Sequence, residues 1–151
     1  MSKLKRFSFT LQKLLDYKEQ VLEAEGIVLA NMNAILARLI AEQNEMRRQR
    51  GERRELLQKI SAAGITAMEM ETHKNFLIAL DFSLRQKGQQ IALQQQAIHR
   101  QMEKVRQAKL EVSTMEKLRE RKLEEYNYLA QKEEERRIEE FVTTSKAMAN
   151  S

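Results

Sequence analysis

The stretch Ser61-Ala-Ala-Gly-Ile-Thr66 interrupts a sequence that otherwise repeats apolar residues every three or four positions. Gly64 can adopt the left-handed conformation that ends a helix. Thr66, with Glu69 three residues later, forms a capping box that begins the next helix. Because a short turn between two long helices makes them antiparallel neighbours, this stretch predicts an all-α hairpin over residues 1–151, with the turn at 61–66.

On the N-terminal side of the turn, heptad rows predict one helix from about residue 4 to 60. Alternating spacings of three and four residues are typical of a coiled coil, so we expect the first two rows to face the second helix. A third row lies beside them and widens the apolar stripe. The first row contains Leu4, Leu11, Met32, Leu39, Met46 and Ile60, the second Phe7, Leu14, Val21, Val28, Ile35 and Leu56, and the third Leu15, Leu22, Leu29 and Leu36.

On the C-terminal side, a longer helix is predicted from about residue 67 to 142, followed by a tail at 143–151. Folding the chain about Gly64 places Leu39 near Ile91 and lets residues 125–141 extend beyond helix 1 as an overhang. The partner row of helix 2, which begins at His73, is polar in its middle. The apolar row contains Leu77, Leu84, Ile91, Ile98, Val105, Val112 and Tyr126.

The composition excludes several functional classes. The chain contains no Cys, which excludes a disulfide scaffold, a thiolate metal site and a cysteine nucleophile, and fits a reducing compartment. No phosphate-binding glycine loop or catalytic motif occurs, and His73 and His99 lie about 39 Å apart along one predicted helix, too far to share a metal. No apolar run approaches the roughly 20 residues that span a bilayer. We therefore expect a cytoplasmic protein that is not an enzyme and holds no cofactor or metal.

Three surfaces need an interpretation beyond folding. Residues 42–55 interleave five Arg with four Glu, which favours a solvated helix face over an interaction surface. Phe76 and Phe82 point in different directions near the turn, so one of them is a candidate binding residue. The overhang keeps apolar side chains that helix 1 does not reach, and we expect a partner to cover them: Tyr126, Leu129 and Phe141.

The opening Arg6-Phe-Ser-Phe-Thr-Leu-Gln-Lys-Leu-Leu-Asp-Tyr-Lys-Glu19 and the closing Glu116-Lys-Leu-Arg-Glu-Arg-Lys-Leu-Glu-Glu-Tyr126 resemble the FliJ family of bacterial flagellar type III export. The resemblance covers nearly the whole chain. It implies a cytoplasmic antiparallel coiled coil like the central stalk of rotary ATPases, with a role in flagellum biogenesis, motility and chemotaxis.

The same resemblance implies partners and sites. The partners are the export ATPase FliI as a hexamer, the export gate protein FlhA, FliH and export chaperones, with no nucleic acid and only peripheral attachment to the inner membrane. Phe76 and Leu80 fall where the family meets the gate. The residues expected to face the ATPase ring are Phe7, Phe9, Tyr126, Leu129, Arg136, Arg137 and Phe141. The alternative is a structural or nucleic-acid-associated coiled coil, for instance a homodimer formed through the third row, Leu15, Leu22, Leu29 and Leu36.

Overall fold

The computed structural model describes residues 5–150, which form two long α-helices and no strand. Helix α1 spans Gln12–Ala63 and helix α2 spans Ala67–Ala149. Many contacts join the two helices, so the predicted helical hairpin is confirmed. Leu4, at the predicted start of helix 1, and Ser151, at the end of the predicted tail, lie outside the described residues.

The connection between the helices has the chemistry that the sequence predicts. Gly64 has φ 96°, in the left-handed region that residues with a Cβ rarely adopt. The Gly64 amide donates to the Ser61 carbonyl at 3.3 Å, and the Glu69 amide donates to the Thr66 hydroxyl at 3.2 Å. Helix α1 continues through Ala63, so the connection is shorter than the predicted turn at 61–66.

Helix α1 starts later than predicted, at Gln12 instead of near residue 4. Residues 5–11 are not helical, and Phe9, at 8% exposure, is buried in the core. This core contains Leu15 from α1 with Val112 and Met115 from α2, and Phe7 packs against it. Phe7 and Phe9 both pack against the core from this non-helical stretch, and their burial outweighs the roughly two turns of helix that the prediction places there.

The described residues fall into two compact units. The first combines residues 5–23 with residues 106–150, and the second contains residues 24–105. Each unit contains part of both helices. The prediction that residues 1–151 form one domain therefore stays a prediction.

The rows of α1 that face α2 differ from the prediction. The first and third rows are turned inward: Leu15 and Leu39 are buried, and Leu22, Leu29 and Leu36 are half-buried. The second row is mostly exposed, with Leu14 at 41%, Val28 at 44%, Ile35 at 40% and Leu56 at 45%. Two facing helices cover only two rows of a three-row stripe.

In α2, both predicted rows face α1 up to Met115. Antiparallel pairs within the second unit bracket the expected neighbours Leu39 and Ile91. Lys87 forms an ion pair with Glu42 at 2.6 Å, and the Gln94 side-chain amide donates to the Met32 carbonyl at 3.0 Å. In the first unit, Lys18 and Glu111 pair at 3.4 Å.

One feature of α1 corrects the expectation about apolar runs. By length and composition α1 could cross a membrane, since its most apolar 18-residue window has a mean hydropathy of 1.4. A single helix of this kind is weak evidence for a membrane span, because core helices of soluble proteins and signal sequences pass the same test.

Candidate partner-binding site

A groove lies between the non-helical N-terminal residues and α2 in the first unit. We call it the terminal groove, and it has a volume of about 640 Å³. The rings of Phe7 and Tyr126 meet in it, with centroids 5.7 Å apart and planes tilted by 58°. Such a tilted arrangement is one that aromatic pairs prefer. The groove is lined by Lys5, Arg6, Phe7, Ser8, Phe9, Thr10, Lys122, Glu125, Tyr126 and Leu129.

Arg119 holds one wall of the terminal groove in place. Its guanidinium carbon lies 5.4 Å from the centroid of the Phe7 ring. Its Nε donates to Gln12 Oε1 at 3.0 Å, at the first residue of α1. The sequence marks Arg119 only as a residue that does not fit the apolar row of α2. The structure shows that it positions Phe7, a cation–π contact that heptad counting cannot find.

The residues predicted to face the ATPase ring occupy different environments. Phe7 and Tyr126 lie together in the terminal groove, and Leu129, at 57% exposure, lines it. Tyr126 is therefore covered from the N-terminal side, although α1 itself does not reach it. Phe9, at 8% exposure, belongs to the core and also lines the groove. Phe141, at 73% exposure, lies outside the groove.

Residues 130–149 form the C-terminal segment of α2, in which every residue from 134 onward is exposed. Arg136 links Glu133 at 2.6 Å and Glu140 at 2.5 Å. Hydrogen bonding to Glu133, with the charges of both glutamates, raises the pKa of Arg136. Arg137 pairs with Glu134 at 3.4 Å. Pairs at i,i+3 and i,i+4 stabilise a solvated helix over residues 133–140. Helix α2 then continues to Ala149 instead of the predicted 142.

A second candidate surface lies near the turn, in the second unit. Phe76 is 37% exposed, and the guanidinium carbon of Arg53 lies 4.0 Å from its ring centroid. Arg53 Nη1 also lies 3.2 Å from His73 Nδ1. Leu80 is half-buried, whereas Phe82 is 55% exposed. Of the two predicted gate residues, Phe76 is therefore the more accessible one, and Arg53 covers one face of its ring.

Residues 7–150 match the family described as the flagellar FliJ protein. This chain belongs to the FliJ family. It is accordingly a component of flagellar protein export. No curated protein and no solved structure matches the chain.

The charged groups of this FliJ-family chain pair along helix surfaces. Among residues 5–150, no cluster of three or more His, Cys, Asp or Glu is arranged to hold a metal. The hydrogen bond from Lys87 lowers the pKa of Glu42, and the hydrogen bond from Arg48 lowers the pKa of Glu45. These carboxylates are solvated partners of neighbouring cations. The terminal groove presents aromatic rings and cations, which are groups that bind a partner.

Proposed function

We propose that this chain is a stalk-like, non-enzymatic component that couples the FliI export ATPase hexamer to the FlhA export gate. Membership of the FliJ family supports the setting in flagellar export. The C-terminal segment of α2 is the observation that carries the finer role. A helix that enters a ring of subunits must stay helical while all its sides are free for contact. This segment is exposed from residue 134 onward and is stabilised by its own ion pairs.

The contact with the ATPase ring involves the first unit. Tyr126 and Leu129 in the terminal groove, Phe7 beside them, and Phe141 farther along α2 offer apolar area to loops of a surrounding protein. Arg136 and Arg137 would help to set the register and orientation of that contact, because charges at an interface contribute more to specificity than to affinity. Phe9 lines the same groove from the core side and is part of the proposed contact.

The contact with the gate involves the second unit. Phe76 and Leu80 are four residues apart on α2 and share one helical face. Displacement of Arg53 from the Phe76 ring would expose a small apolar anchor, and anchors of this kind dominate many interfaces. FliH and export chaperones are further partners in this proposal, and the protein acts in the cytoplasm, peripheral to the inner membrane through its partners. No nucleic acid or cofactor takes part.

The test uses purified FliI with the full-length chain and with a chain that lacks residues 130–151. The truncated chain keeps the core of Leu15, Val112 and Met115, so its circular dichroism should still show a folded hairpin. We expect it to lose stimulation of ATP turnover. A matched control is Leu93→Ala, which removes an apolar side chain that is 66% exposed in the second unit and should leave stimulation intact. Equal stimulation by the full-length and truncated chains would contradict the proposal.

A second arm of the test addresses the gate. Phe76→Ala should weaken binding to the cytoplasmic part of FlhA, whereas Phe82→Ala, a matched loss of an aromatic residue on the same helix, should not. Thermal unfolding of both variants checks that the hairpin persists. If both variants bind FlhA as the parent chain does, the gate contact lies elsewhere.

A further inference from the structure

The terminal groove has a basic rim. Lys5, Arg6 and Lys122 line it against one acid, Glu125, which leaves an excess of two positive charges. Glu125 is already paired, since its Oε2 lies 3.5 Å from Lys122 Nζ. Among residues 5–150, no acidic side chain forms an ion pair with Lys5 or Arg6. The rim can therefore attract negative charge from outside the molecule.

The floor of the groove is apolar. Phe7 and Tyr126 are half-buried against each other, and Leu129 remains 57% exposed beside them. The volume of about 640 Å³ lies within the range of about 300–1,000 Å³ that is usual for ligand sites. An occupant therefore needs an apolar part as well as a charged part.

The walls of the groove are held in place without an occupant. Phe9 anchors the preceding residues in the core, and Arg119, which is bonded to Gln12, contacts the Phe7 ring. A site that is already ordered loses less conformational entropy on binding. Because the groove is already ordered, only the partner segment has to become ordered on binding, so the groove can bind a flexible segment.

We propose that the terminal groove binds an acidic peptide segment of a partner protein. One apolar or aromatic side chain of the peptide contacts Tyr126 and Leu129, while its carboxylates face Lys5 and Arg6. Charge complementarity favours an acidic segment. The apolar floor disfavours a nucleic acid, and two unpaired bases are too few to neutralise a run of phosphates. The identity of the partner as the export ATPase rests on the proposed function, whereas the chemistry of the groove does not.

The test measures binding of a fluorescein-labelled hexapeptide, Asp-Glu-Leu-Phe-Glu-Asp, to the full-length chain by fluorescence anisotropy. The double variant Lys5→Glu with Arg6→Glu should bind it about tenfold or more weakly, because reversing two charges turns attraction into repulsion. The matched control, Lys109→Glu with Lys117→Glu, makes the same change in net charge at exposed positions of α2 outside the groove and should bind like the parent. Leu129→Gln tests the floor and should also weaken binding.

Competing peptides and nucleic acid define the outcomes that would overturn the inference. The neutral peptide Asn-Gln-Leu-Phe-Gln-Asn and the peptide Asp-Glu-Ser-Ser-Glu-Asp should each bind more weakly than the parent peptide. Equal binding of either one, equal loss in the control variant, or stronger binding of a short oligothymidylate contradicts it. So does a self-associated form that the Lys5 and Arg6 substitutions dissolve, because a second copy would then be the occupant.

Stimulation of the export ATPase by the same variants separates this inference from the proposed function. If peptide binding depends on Lys5 and Arg6 but stimulation does not, the groove binds an acidic segment of another protein, and the ATPase contact at this site is wrong. If the peptide does not bind but the substitutions abolish stimulation, the inference fails and the proposed function stands.

Discussion

Gln101 shows how a polar residue is accommodated in the contact between the helices. It is 6% exposed, and its side-chain amide donates to the Glu25 carbonyl at 3.0 Å and to the Glu25 carboxylate. Its neighbour one heptad earlier, Gln94, donates to the Met32 carbonyl in the same way. A buried amide that finds partners avoids the desolvation cost of an unpaired polar group. The polar middle of the partner row therefore helps to fix the position of α1 within the second unit, although that row lacks apolar side chains there.

Substitution of glycine by alanine should change the free energy of unfolding in opposite directions at Gly64 and Gly51. Gly64→Ala should lower the free energy of unfolding by about 1 kcal/mol or more, because its φ of 96° strains any residue with a Cβ. Gly51→Ala should raise that free energy by about 0.5–1 kcal/mol, since Gly51 lies inside α1 and nothing stands within 4 Å of the added Cβ. Urea denaturation followed by circular dichroism measures both. Two changes of the same sign would show that the turn is not formed as described.

At the scale of the elements, Leu14 and Leu15 give the sharpest test of which rows face each other. Leu15 is 3% exposed in the core, whereas Leu14 is 41% exposed. Leu15→Ala should lower the free energy of unfolding by roughly 2–4 kcal/mol, because it removes buried area and leaves a cavity. Leu14→Ala should change it by less than about 1 kcal/mol. The two substitutions are identical in chemistry and helix propensity, so each is the control for the other.

Thermal or urea unfolding of these two variants measures the difference. If Leu14→Ala lowers the free energy of unfolding more than Leu15→Ala does, the second row is the buried one, as the sequence predicts. Equal losses would mean that α1 has no preferred side toward α2 in the first unit.

Local chemistry decides which elements the sequence can predict. The turn at Gly64 and the cap at Thr66 depend on adjacent residues, so both are predicted correctly. The rows of α2 are also predicted, because there one apolar row has a single breaking residue, Arg119. In α1 three apolar rows run side by side, and sequence spacing alone cannot say which two α2 covers.

The terminal groove could be predicted only in part. The sequence indicates that Tyr126 and Leu129 need cover, but it assigns Phe7 and Phe9 to a helix. Their non-helical conformation depends on contacts with α2 residues more than a hundred positions away in sequence, such as Val112 and Tyr126. Periodicity within one segment carries no information about such contacts.

At the scale of the whole molecule, charge and apolar area are distributed unevenly. The chain carries a net charge of +5, and residues 5–13 include Lys5, Arg6 and Lys13 without an acid. The C-terminal segment mixes acids and bases and pairs them within one helix. A modest net charge fits a protein that recognises other proteins better than one that follows a phosphate backbone.

The last prediction concerns whether the chain associates with itself. The row Leu15, Leu22, Leu29 and Leu36, which the alternative reading assigns to a homodimer, faces α2 within the same chain. A dimer through that row would have to open the hairpin and lose the Leu15 core, so we expect a monomer of 17.8 kDa. Sedimentation equilibrium from low to high micromolar concentration measures the mass. In the second unit, the exposed second-row residues Val28 and Ile35 are the other surface that could form a dimer. The double variant Val28→Gln with Ile35→Gln is the control for that surface. A dimer that this double variant abolishes would contradict the monomer and assign the interface to the second row, whereas a dimer that survives it would mean that the hairpin opens to exchange helices.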